Sequence, residues 1–312
     1  MTGKYTRQIK DKAHELGFTY VGIAKAEQLV DDAFRLEKWL NQNHHGKMSY
    51  MANHFDKRID PTKLVDGAKS VITLMMNYFP EQIQPNSIYK IAKYAYGEDY
   101  HFVIRKKLNE LLLYFNETIG EVSGRGFVDS APVLERAWAV KSGLGWVGKN
   151  GNLISKKSGS FFFLATLMID IELEYDLPYL QDYCGTCTKC IDSCPTEAIL
   201  PNKEINGSQC ISYYTIELKD ALIDTDHKWN DWIFGCDICQ DVCPWNRFSS
   251  PHQIDSFSPT TEMLNFTTAD WENVEEFTFD KVFKNSPIKR TGYTNFIRNI
   301  KFLKQKSSSE KE

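Results

Sequence analysis

The spacing of apolar residues near the start of the chain predicts alternating helices and strands. Apolar positions recur at helical spacing through residues 9–16, and Gly17 follows them, which predicts an amphipathic helix ended by a glycine cap. Residues 18–24 then form a short apolar segment that predicts a strand. Residues 31–43 fit a second helix. The chain therefore opens with a helix, a strand and another helix.

Two longer apolar patterns follow. Residues 70–78 are apolar and partly β-branched, which predicts a central strand. A single apolar stripe predicts a long helix over residues 99–119. We interpret this stripe as part of a hydrophobic core. Its members are Ile104, Leu108, Leu111, Leu112 and Phe115.

The middle of the chain predicts further elements of both kinds. Residues 126–128 fit a strand and residues 133–141 a helix, while residues 152–155 and 160–171 fit a hairpin. The longest apolar stretch lies in the second hairpin strand and is too short to span a bilayer, so we interpret it as buried. These elements predict an α/β layered domain with mixed strand directions.

The charge of the chain is unevenly placed. The net charge of −4 over 312 residues gives no general attraction to nucleic acid. Residues 261–280 nevertheless carry six acids and no base, whereas residues 281–306 carry eight bases and no acid. A basic end segment is typical of phosphate contacts, and the alternative is a solvated helix face. Within it, the candidate phosphate contacts are Lys289, Arg290 and Arg298.

All eight cysteines lie between Cys184 and Cys243, in the order CxxCxxCxxxCP, the single Cys210, and CxxCxxxCP. A 4Fe–4S cluster takes one thiolate per iron, so eight cysteines supply two ligand sets. In ferredoxins with this run the fourth cysteine binds the other cluster. The predicted sets are Cys184, Cys187, Cys190 with Cys243, and Cys194 with Cys210, Cys236 and Cys239.

Zinc and disulfide bonds are the alternatives for these cysteines. Structural zinc also uses CxxC pairs, but it prefers two pairs separated by a spacer. Disulfides need an oxidising compartment, and residues 1–18 lack the apolar core and cleavage site of a signal peptide. Two iron–sulfur clusters in a cytoplasmic protein are therefore the favoured interpretation.

A glycine pattern invites comparison with nucleotide-binding loops. Gly143, Gly145 and Gly148 match GxGxxG, and with Lys149 they also match GxxxxGK. Both motifs must follow a strand and open a helix, whereas here a predicted helix precedes and an extended segment follows. Asn150 also replaces the Ser or Thr that binds magnesium. We interpret the glycines as backbone that closely approaches another group. Lys149 either faces that group or is exposed to solvent.

Asp129 stands at the end of the predicted strand 126–128, just before a proline and a helix. Near apolar side chains such as Trp138, a carboxyl group can keep its proton close to neutrality and donate it. The alternative is helix capping, in which Asp129 or Ser130 accepts bonds from free N–H groups and Pro132 lies in the first turn.

Six segments, taken in order, resemble the epoxyqueuosine reductase family over residues 5–300. They are RIDPTKLVDGAKSVI, YAYGEDYHFVIRKKL, VDSAPVLERAWAVKSGLGWVGKN, CGTCTKCIDSCPTEAI, CISYYTIE and GCDICQDVCPWN. The resemblance implies an α+β chain, with a nitroreductase-like α/β layered cobalamin domain before a ferredoxin-like domain that holds two 4Fe–4S clusters. The expected ranges are 1–177 for the first domain, 178–250 for the second, and 251–312 for a C-terminal helical segment with a basic tail.

The resemblance also implies an activity. Family members reduce epoxyqueuosine to queuosine at the wobble position of tRNAs with GUN anticodons. Cobalamin as Co(I) is the nucleophile, the clusters relay electrons from a low-potential donor such as flavodoxin or ferredoxin, and Asp129 corresponds to the proton donor. The matching motifs place cobalamin contacts at Arg58, Tyr96, Asp99, Ser130, Lys149, Asn150, Ser212 and Tyr213.

Two other functions fit parts of the pattern. A corrinoid reductive dehalogenase acting on a small halogenated molecule has the same domain pairing, although such enzymes are exported and no export signal is expected here. A plain iron–sulfur electron-transfer protein would need no substrate, and it would leave the long region before the cysteines unused. Longer family members also carry a helical-repeat region after the cluster domain, whereas this sequence ends in the polar segment KSSSEKE.

Overall fold

The computed structural model describes residues 2–85, 89–220, 222 and 228–309. Its strands are β1 (Tyr20–Lys25), β2 (Ser70–Asn77), β3 (Lys90–Ile91), β4 (Gly124–Phe127), β5 (Trp146–Val147), β6 (Leu153–Ile154), β7 (Phe162–Ile169) and β8 (Trp232–Phe234). Its helices are α1 (Thr2–Glu15), α2 (Val30–Asn41), α3 (Phe55–Ile59), α4 (Pro61–Leu64), α5 (Tyr100–Thr118), α6 (Glu135–Lys141), α7 (Lys189–Asp192), α8 (Ile238–Asp241), α9 (Thr261–Asn265), α10 (Thr268–Glu272), α11 (Glu276–Val282) and α12 (Tyr293–Ser309).

A four-stranded sheet in the order β1-β2-β7-β4 forms the centre of the first half of the chain. β2 pairs with β1 on one side and with β7 on the other, which confirms that the segment predicted at 70–78 is a central strand. The predicted mixture of strand directions is wrong, because every neighbouring pair in this sheet is antiparallel.

Helices cover both faces of this sheet. On one face Ile72 and Leu74 pack in the same core as Ile104 of α5, and on the other Val71 packs with Trp138 of α6. Burial on both faces removes the alternation of apolar and polar residues that usually marks an antiparallel strand. For this reason the sequence pattern of β2 carries no information about strand direction.

The predicted helices of the first half are confirmed. α1 ends before Gly17, whose φ of +93° is a conformation that glycine adopts at little cost. α5 begins after Asp99, whose side chain accepts a hydrogen bond from the backbone N–H of His101 at 3.0 Å. This cap fixes the start of α5, and it places Tyr100 and His101 on the first turn.

The hairpin predicted from residues 152–155 and 160–171 is wrong. β6 pairs instead with β5, whereas β7 pairs with β2 and β4. Because β7 has strands along both of its edges, no edge remains for β6. Among the described residues, the bridge between Ser155 and Gly159 closes the link between the two segments.

A second hydrophobic core lies around the parallel pair β3 and β8. Residues from the predicted first domain, among them Tyr89 and Ile91, pack in it with Trp271, Phe279 and Phe296 from the C-terminal helices. The structure therefore joins residues from all three predicted ranges in one core. This arrangement fixes the C-terminal segment against the rest of the molecule.

The C-terminal segment is helical, with α9 to α12 between Thr261 and Ser309. The end of the predicted basic tail, residues 310–312, lies outside the described residues. Within the part of the chain that the structure describes, no helix has the length and apolar character needed to cross a membrane.

Candidate functional site

Asp129 lies directly after β4, and its φ of +44° is in the left-handed region that few residues other than glycine adopt. It does not cap α6, because that helix begins at Glu135. The N-cap position is Leu134, and it makes no side-chain cap bond. Ser130 and Pro132 likewise precede the helix and do not form its first turn. The structure thus gives no support to the capping interpretation.

The Asp129 carboxylate meets the first turn of α5 instead. The Tyr100 hydroxyl donates a hydrogen bond to Asp129 Oδ2 at 2.7 Å, and His101 Nε2 lies 3.9 Å from the same oxygen. The Tyr100 ring stacks on His101 on one side and on Phe163 on the other, with both centroid distances 4.1 Å. Burial and the nearby Asp129 carboxylate raise the pKa of Tyr100, so its hydroxyl keeps its proton and donates it.

A second carboxylate orients His101. Asp99 Oδ1 lies 2.6 Å from His101 Nδ1, and it also accepts the backbone N–H of His101. Burial acts to raise the pKa of Asp99, but these hydrogen bonds outweigh it and the pKa is lowered. Asp99 is therefore ionised at neutral pH and favours a proton on Nδ1, which turns Nε2 toward Asp129.

Glu135 supports Asp129 from the other side and was missed by the sequence analysis. The backbone N–H of Asp129 donates to Glu135 Oε1 at 2.8 Å. Burial and the Asp129 carboxylate raise the pKa of Glu135 to about 8. The signal available in the sequence was only an acid six positions after Asp129, and nothing in that spacing predicts a bond.

A cavity of about 550 Å³ opens beside Asp129. The start of α5, the loop that follows β4 and the segment before α12 enclose it, and the Asp99 N–H donates to the Asn285 carbonyl at 2.6 Å across their junction. Its lining residues are Asp99, His101, Phe102, Asp129, Ser130, Lys284, Asn285, Ser286, Lys289 and Arg290. Two of the three predicted RNA contacts therefore share a wall with Asp129.

Arg290 connects this wall to the cysteine region. Its Nη2 lies 3.5 Å from Glu217 Oε1. Burial acts to lower the pKa of Arg290, but Glu217 and Asp129 outweigh it and the pKa is raised. Tyr50 lies near the same Glu217 carboxylate. Burial and the charge of Glu217 raise the pKa of Tyr50 to about 12. Tyr50 and Glu217 come from distant segments, and for that reason the sequence analysis missed them.

The structure gives Arg298 a different position from the other two predicted RNA contacts. Its guanidinium donates to the backbone carbonyls of Tyr214, Leu218 and Asp220 at 2.7 to 2.8 Å. These carbonyls lie in and after the helical turn Tyr213–Glu217. Carbonyls at the end of a helix have no partner within it, so they need other donors. Arg298 therefore fixes this turn, and its guanidinium is already engaged within the chain.

Of the predicted cobalamin contacts, Asp99 and Ser130 line the cavity and Arg58 lies behind Tyr50. Arg58 Nη2 donates to the Tyr50 carbonyl, but its buried Nε has no partner among the described residues. A buried donor without a partner fits a bound group that carries amide carbonyls, as cobalamin does. Tyr96 is elsewhere, because it is buried in the second core and accepts a bond from the Gln84 N–H.

The four remaining predicted cobalamin contacts lie against the cysteine loops. Lys149 Nζ donates to the carbonyls of Gly185 and Cys187, and Asn150 Nδ2 donates to the Cys239 carbonyl at 3.3 Å. Hydrogen bonding by Ser212 acts to lower the pKa of the Cys210 thiol, although burial outweighs it and the pKa is raised. Tyr213 accepts the Lys47 N–H at 3.0 Å. The side chains of Lys149, Asn150 and Tyr213 thus hold the two halves of the chain together.

The glycine pattern is explained by the chain itself. A Cβ at Gly145 would lie 2.2 Å from the Ile154 carbonyl oxygen, and one at Gly148 would lie 2.4 Å from the Ile154 side chain. Gly143 has a φ of +76° and lies against the Leu177 carbonyl. The close approach predicted for these glycines is thus to neighbouring strands and to the linker.

The cysteines are free thiols that fall into two neighbouring groups. In the first, which we call the outer set, Cys190 interacts electrostatically with Cys184 and Cys243, and Cys243 with Cys184 and Cys187. The backbone N–H of Trp245 acts to lower the pKa of the Cys243 thiol, whereas the Asn246 N–H donates to the Cys243 carbonyl at 3.0 Å. The outer set combines three cysteines of one run with the last cysteine of the other.

The second group, the inner set, is more enclosed. Cys210 interacts with Cys194, and Cys236 interacts with both. Cys239 interacts with Cys236 and Cys210 of its own set and with Cys190 of the outer set. Burial raises the pKa of the thiols of Cys210, Cys236 and Cys239.

Each group supplies four thiols, which is the number of ligands that one 4Fe–4S cluster takes. Within the described residues, no three His, Cys, Asp or Glu side chains are grouped closely enough to hold one metal ion. In a cubane each thiolate binds a different iron, so the sulfurs stand further apart than they do around one ion. The chemistry of the donor set therefore fits a 4Fe–4S cluster in each group.

Comparison with known proteins agrees with this arrangement. The family model described as “Epoxyqueuosine reductase QueG, DUF1730” matches residues 58–130, and the one described as “4Fe-4S double cluster binding domain” matches residues 183–246. The epoxyqueuosine reductase of Cyclobacterium marinum is 59% identical over 308 residues, which are 98% of this chain and 98% of that protein. That of Pseudomonas aeruginosa is 40% identical over 305 residues, which are 95% of this chain and 84% of that protein.

Solved structures share the fold. The structure of epoxyqueuosine reductase from Streptococcus thermophilus matches with a TM-score of 0.83 and 26% identity, over 97% of this chain and 81% of that one. A crystal structure of epoxyqueuosine reductase with a tRNA-Tyr epoxyqueuosine-modified stem loop matches with a TM-score of 0.86 and 24% identity, over 96% and 80%. The catabolic reductive dehalogenase NpRdhA matches with a TM-score of 0.51 and 17% identity, over 96% and 38%.

The matches confirm the predicted fold class, an α+β chain whose second half binds two 4Fe–4S clusters. Reductive dehalogenases share only the fold at this level of identity. The relatives with substantial identity over nearly the whole chain all carry one activity in their names. The chain belongs to the epoxyqueuosine reductase family.

Proposed function

We propose that this chain reduces epoxyqueuosine to queuosine at the wobble position of tRNA. The observation that carries the proposal is the arrangement of Asp129, Tyr100 and His101 at a cavity, in a chain whose cysteines form two sets of four. The relatives named above are epoxyqueuosine reductases, and one solved relative binds an epoxyqueuosine-modified tRNA stem loop.

The reaction has a fixed requirement for electrons and protons. Converting an epoxide to an alkene takes up two electrons and two protons and releases the oxygen as water. A 4Fe–4S cluster passes one electron at a time. We assign entry of electrons to the outer set, because the inner set is the more enclosed of the two. The Cys190–Cys239 interaction between the sets supports a short path from one to the other.

Cobalamin is the group that the family implies for the site beside Asp129. When bound, it would supply the nucleophile that opens the epoxide. Arg58, Asp99 and Ser130 are the side chains we propose to hold it, because the first has an unpartnered buried donor and the other two line the cavity. The other four proposed contacts would reach cobalamin through backbone atoms, because their side chains interact within the chain. They are Lys149, Asn150, Ser212 and Tyr213.

Asp129 is the proposed proton donor. Ring opening leaves negative charge on the former epoxide oxygen, and a carboxylic acid within reach stabilises that charge by protonating it. The side chain of Asp129 is 58% exposed, so it can reach into the cavity. His101 lies 3.9 Å from the same carboxylate oxygen and is positioned to return a proton after each turnover.

The substrate nucleoside has to leave the anticodon stack to reach this cavity, as bases that undergo enzymic chemistry do. Single-stranded loops are recognised through unstacked bases and phosphates. Lys289 and Arg290 lie in the cavity wall and are the proposed phosphate contacts. Arg298 is no longer part of this proposal, because its guanidinium binds three backbone carbonyls.

A low-potential donor, flavodoxin or ferredoxin, is the proposed source of electrons, and the cytoplasm is the proposed location.

The test of the proposed function is nucleoside analysis by mass spectrometry. Anaerobically prepared protein with cobalamin and a chemical reductant is incubated with epoxyqueuosine-containing tRNA and, separately, with a halogenated phenol. We expect queuosine from the first substrate and no dehalogenation of the second. Dehalogenation without queuosine would overturn the proposal.

A further inference from the structure

An aromatic cluster lies beside the outer set. Trp146 contacts Tyr179, Tyr183 and Trp245, with ring centroids 5.2 to 5.9 Å apart, and Trp245 contacts Phe248 at 6.0 Å. The Trp245 indole N–H donates to the Tyr183 carbonyl, next to Cys184. The aromatic rings thus form one connected layer, and two of them, Tyr183 and Trp245, lie one and two residues along the chain from cysteines of the outer set.

The linker beside this layer exposes apolar side chains. Leu177 is 87% exposed and Leu180 is 83% exposed, and Tyr183 and Phe248 are also partly accessible. A single exposed leucine needs no explanation, but a contiguous apolar patch on a monomer marks an interaction surface. We define the outer face as residues 175–189 and 245–248 together with Lys156 and Lys157.

The charge of the outer face is positive. Lys156 lies over the Tyr183 ring at 4.6 Å, and Arg247 lies over the Phe248 ring at 4.4 Å. Across the described part of the chain, neither forms an ion pair, and neither do Lys157 and Lys189.

The acids of the same face are neutralised. It contains two, and each has a lysine partner from outside the face: Asp176 with Lys10 at 2.6 Å, and Asp182 with Lys203. The four cations are therefore not balanced by acids within the face. A partner that complements this surface has to carry excess negative charge.

We propose that the outer face is the docking site of a small acidic protein that delivers one electron at a time. The proposal rests on the proposed function, because a two-electron reduction needs an external one-electron donor. At each encounter the reduced carrier would lose one electron to the oxidised cluster of the outer set, and two encounters would supply one reduction. Such redox encounters use small interfaces with an apolar centre and a charged rim.

RNA is the other polyanion that a basic face can bind. The geometry favours the protein carrier, because the face lies over the outer set, whereas the cavity that holds Asp129 is lined by residues 284–290. The aromatic rings of the face also pack on one another or on Trp146, and cations cover the Tyr183 and Phe248 rings, so few ring faces are free to stack on bases.

The test is charge reversal with a matched control. The face variant is Lys156→Glu, Lys157→Glu and Arg247→Glu combined, and the control is Lys4→Glu, Lys63→Glu and Lys69→Glu combined, at exposed sites outside the face. Turnover of epoxyqueuosine tRNA is measured with an acidic ferredoxin as donor and, in parallel, with reduced methyl viologen, which needs no docking site.

We expect the face variant to raise the KM for ferredoxin by about tenfold, as loss of electrostatic steering does. Turnover with methyl viologen and the KM for tRNA should stay at the wild-type values, and the control variant should match wild type throughout. A second variant, Leu177→Asp with Leu180→Asp, tests the apolar centre without touching the cations. It should show the same donor-specific defect, and iron content measured in parallel checks that the clusters are intact.

An unchanged KM for ferredoxin in both variants would overturn the docking site. A raised KM for tRNA with an unchanged KM for ferredoxin would make the face an RNA surface and also overturn it. If wild type itself makes no queuosine with methyl viologen, the proposed function fails, and that failure is separate from any difference between the variants.

Discussion

At the scale of single residues, Asp129 combines an exposed carboxylate with a backbone conformation that few residues other than glycine adopt. A left-handed conformation at such a residue costs about 1 to 3 kcal/mol unless its surroundings hold it. Two contacts hold it here, because Glu135 accepts the Asp129 N–H and Tyr100 donates to the carboxylate. The loop position, and with it the reach of the carboxylate, depends on these two partners.

We predict that Glu135 positions Asp129 through its acceptor oxygen. Glu135→Ala should lower kcat by about tenfold, the scale of effect that misplacing a catalytic group produces. Glu135→Gln keeps an oxygen that can accept the Asp129 N–H and should restore most of kcat. The KM for tRNA should not change in either variant. Equal losses in the two variants would mean that the charge or proton of Glu135 matters, and not the acceptor.

The raised pKa of Glu135 also predicts a pH dependence of stability. Because its folded pKa of about 8 exceeds the ordinary value of 4.5, the folded state holds a proton that the unfolded state releases between these values. The free energy of unfolding should therefore fall as pH rises from about 5 to about 8. Glu135→Gln cannot ionise, and it should lose less stability over this range. Parallel curves of urea midpoint against pH for wild type and variant would contradict the prediction.

Part of the site was accessible from the sequence. Asp129, Asp99 and the eight cysteines were predicted, because each lies in a local motif or at the end of an element. Glu135, Tyr50 and Glu217 were not, because the contacts that they make depend on how separate segments pack. Tyr96 was predicted as a site residue on the strength of its motif, yet it is buried in the second core.

At the scale of elements, helices and strands followed from periodicity, while pairing did not. The stripe of α5 and the apolar run of β2 were sufficient to place both. The pairing predicted for β6 was wrong. The tight link to β7 indicated a hairpin, but β7 has strands at both of its edges and β6 pairs with β5. Strand partners are decided by the whole sheet, and a local pattern does not contain that information.

Arg290 and Arg298 lie eight positions apart and are predicted to have different roles. Arg298→Ala should lower the free energy of unfolding by about 1 to 3 kcal/mol, because three backbone carbonyls lose a charged donor. Arg290→Ala should leave stability nearly unchanged, weaken tRNA binding and reduce the slope of log affinity against log salt by about one. Chemical denaturation and binding at several salt concentrations measure both. The reverse assignment of the two effects would contradict the structure.

At the scale of the whole molecule, the three predicted ranges of the chain pack against one another. The Asp99 N–H bonds the Asn285 carbonyl, and Lys93 of the first half contacts Asp237 and Asp241 beside the inner set. The predicted boundaries at 177/178 and 250/251 cut across a core that the structure shares among these stretches. Coarse order along the chain was predictable, whereas a core assembled from distant segments was not.

The crossed pairing of the cysteines predicts which cluster each variant loses. Cys243→Ser should disturb the cluster of the outer set and Cys194→Ser that of the inner set, although each residue follows the run that serves the other set. In each variant about half of the iron should be lost or altered. Electron paramagnetic resonance of the reduced proteins should give two different residual spectra. If Cys194→Ser and Cys190→Ser gave the same residual spectrum, the pairing would be wrong.

The central claim is that Asp129 supplies a proton to an epoxide reduced with electrons from the two clusters. The most direct measurement compares Asp129→Asn with wild type under single turnover of epoxyqueuosine tRNA, with Asp66→Asn, at an exposed acid outside the cavity, as the control. The account predicts normal cluster reduction in all three proteins and queuosine formation slowed at least a hundredfold in Asp129→Asn alone, within the usual range for loss of a general acid, roughly 10² to 10⁴. Queuosine formation by Asp129→Asn at the wild-type rate would contradict it.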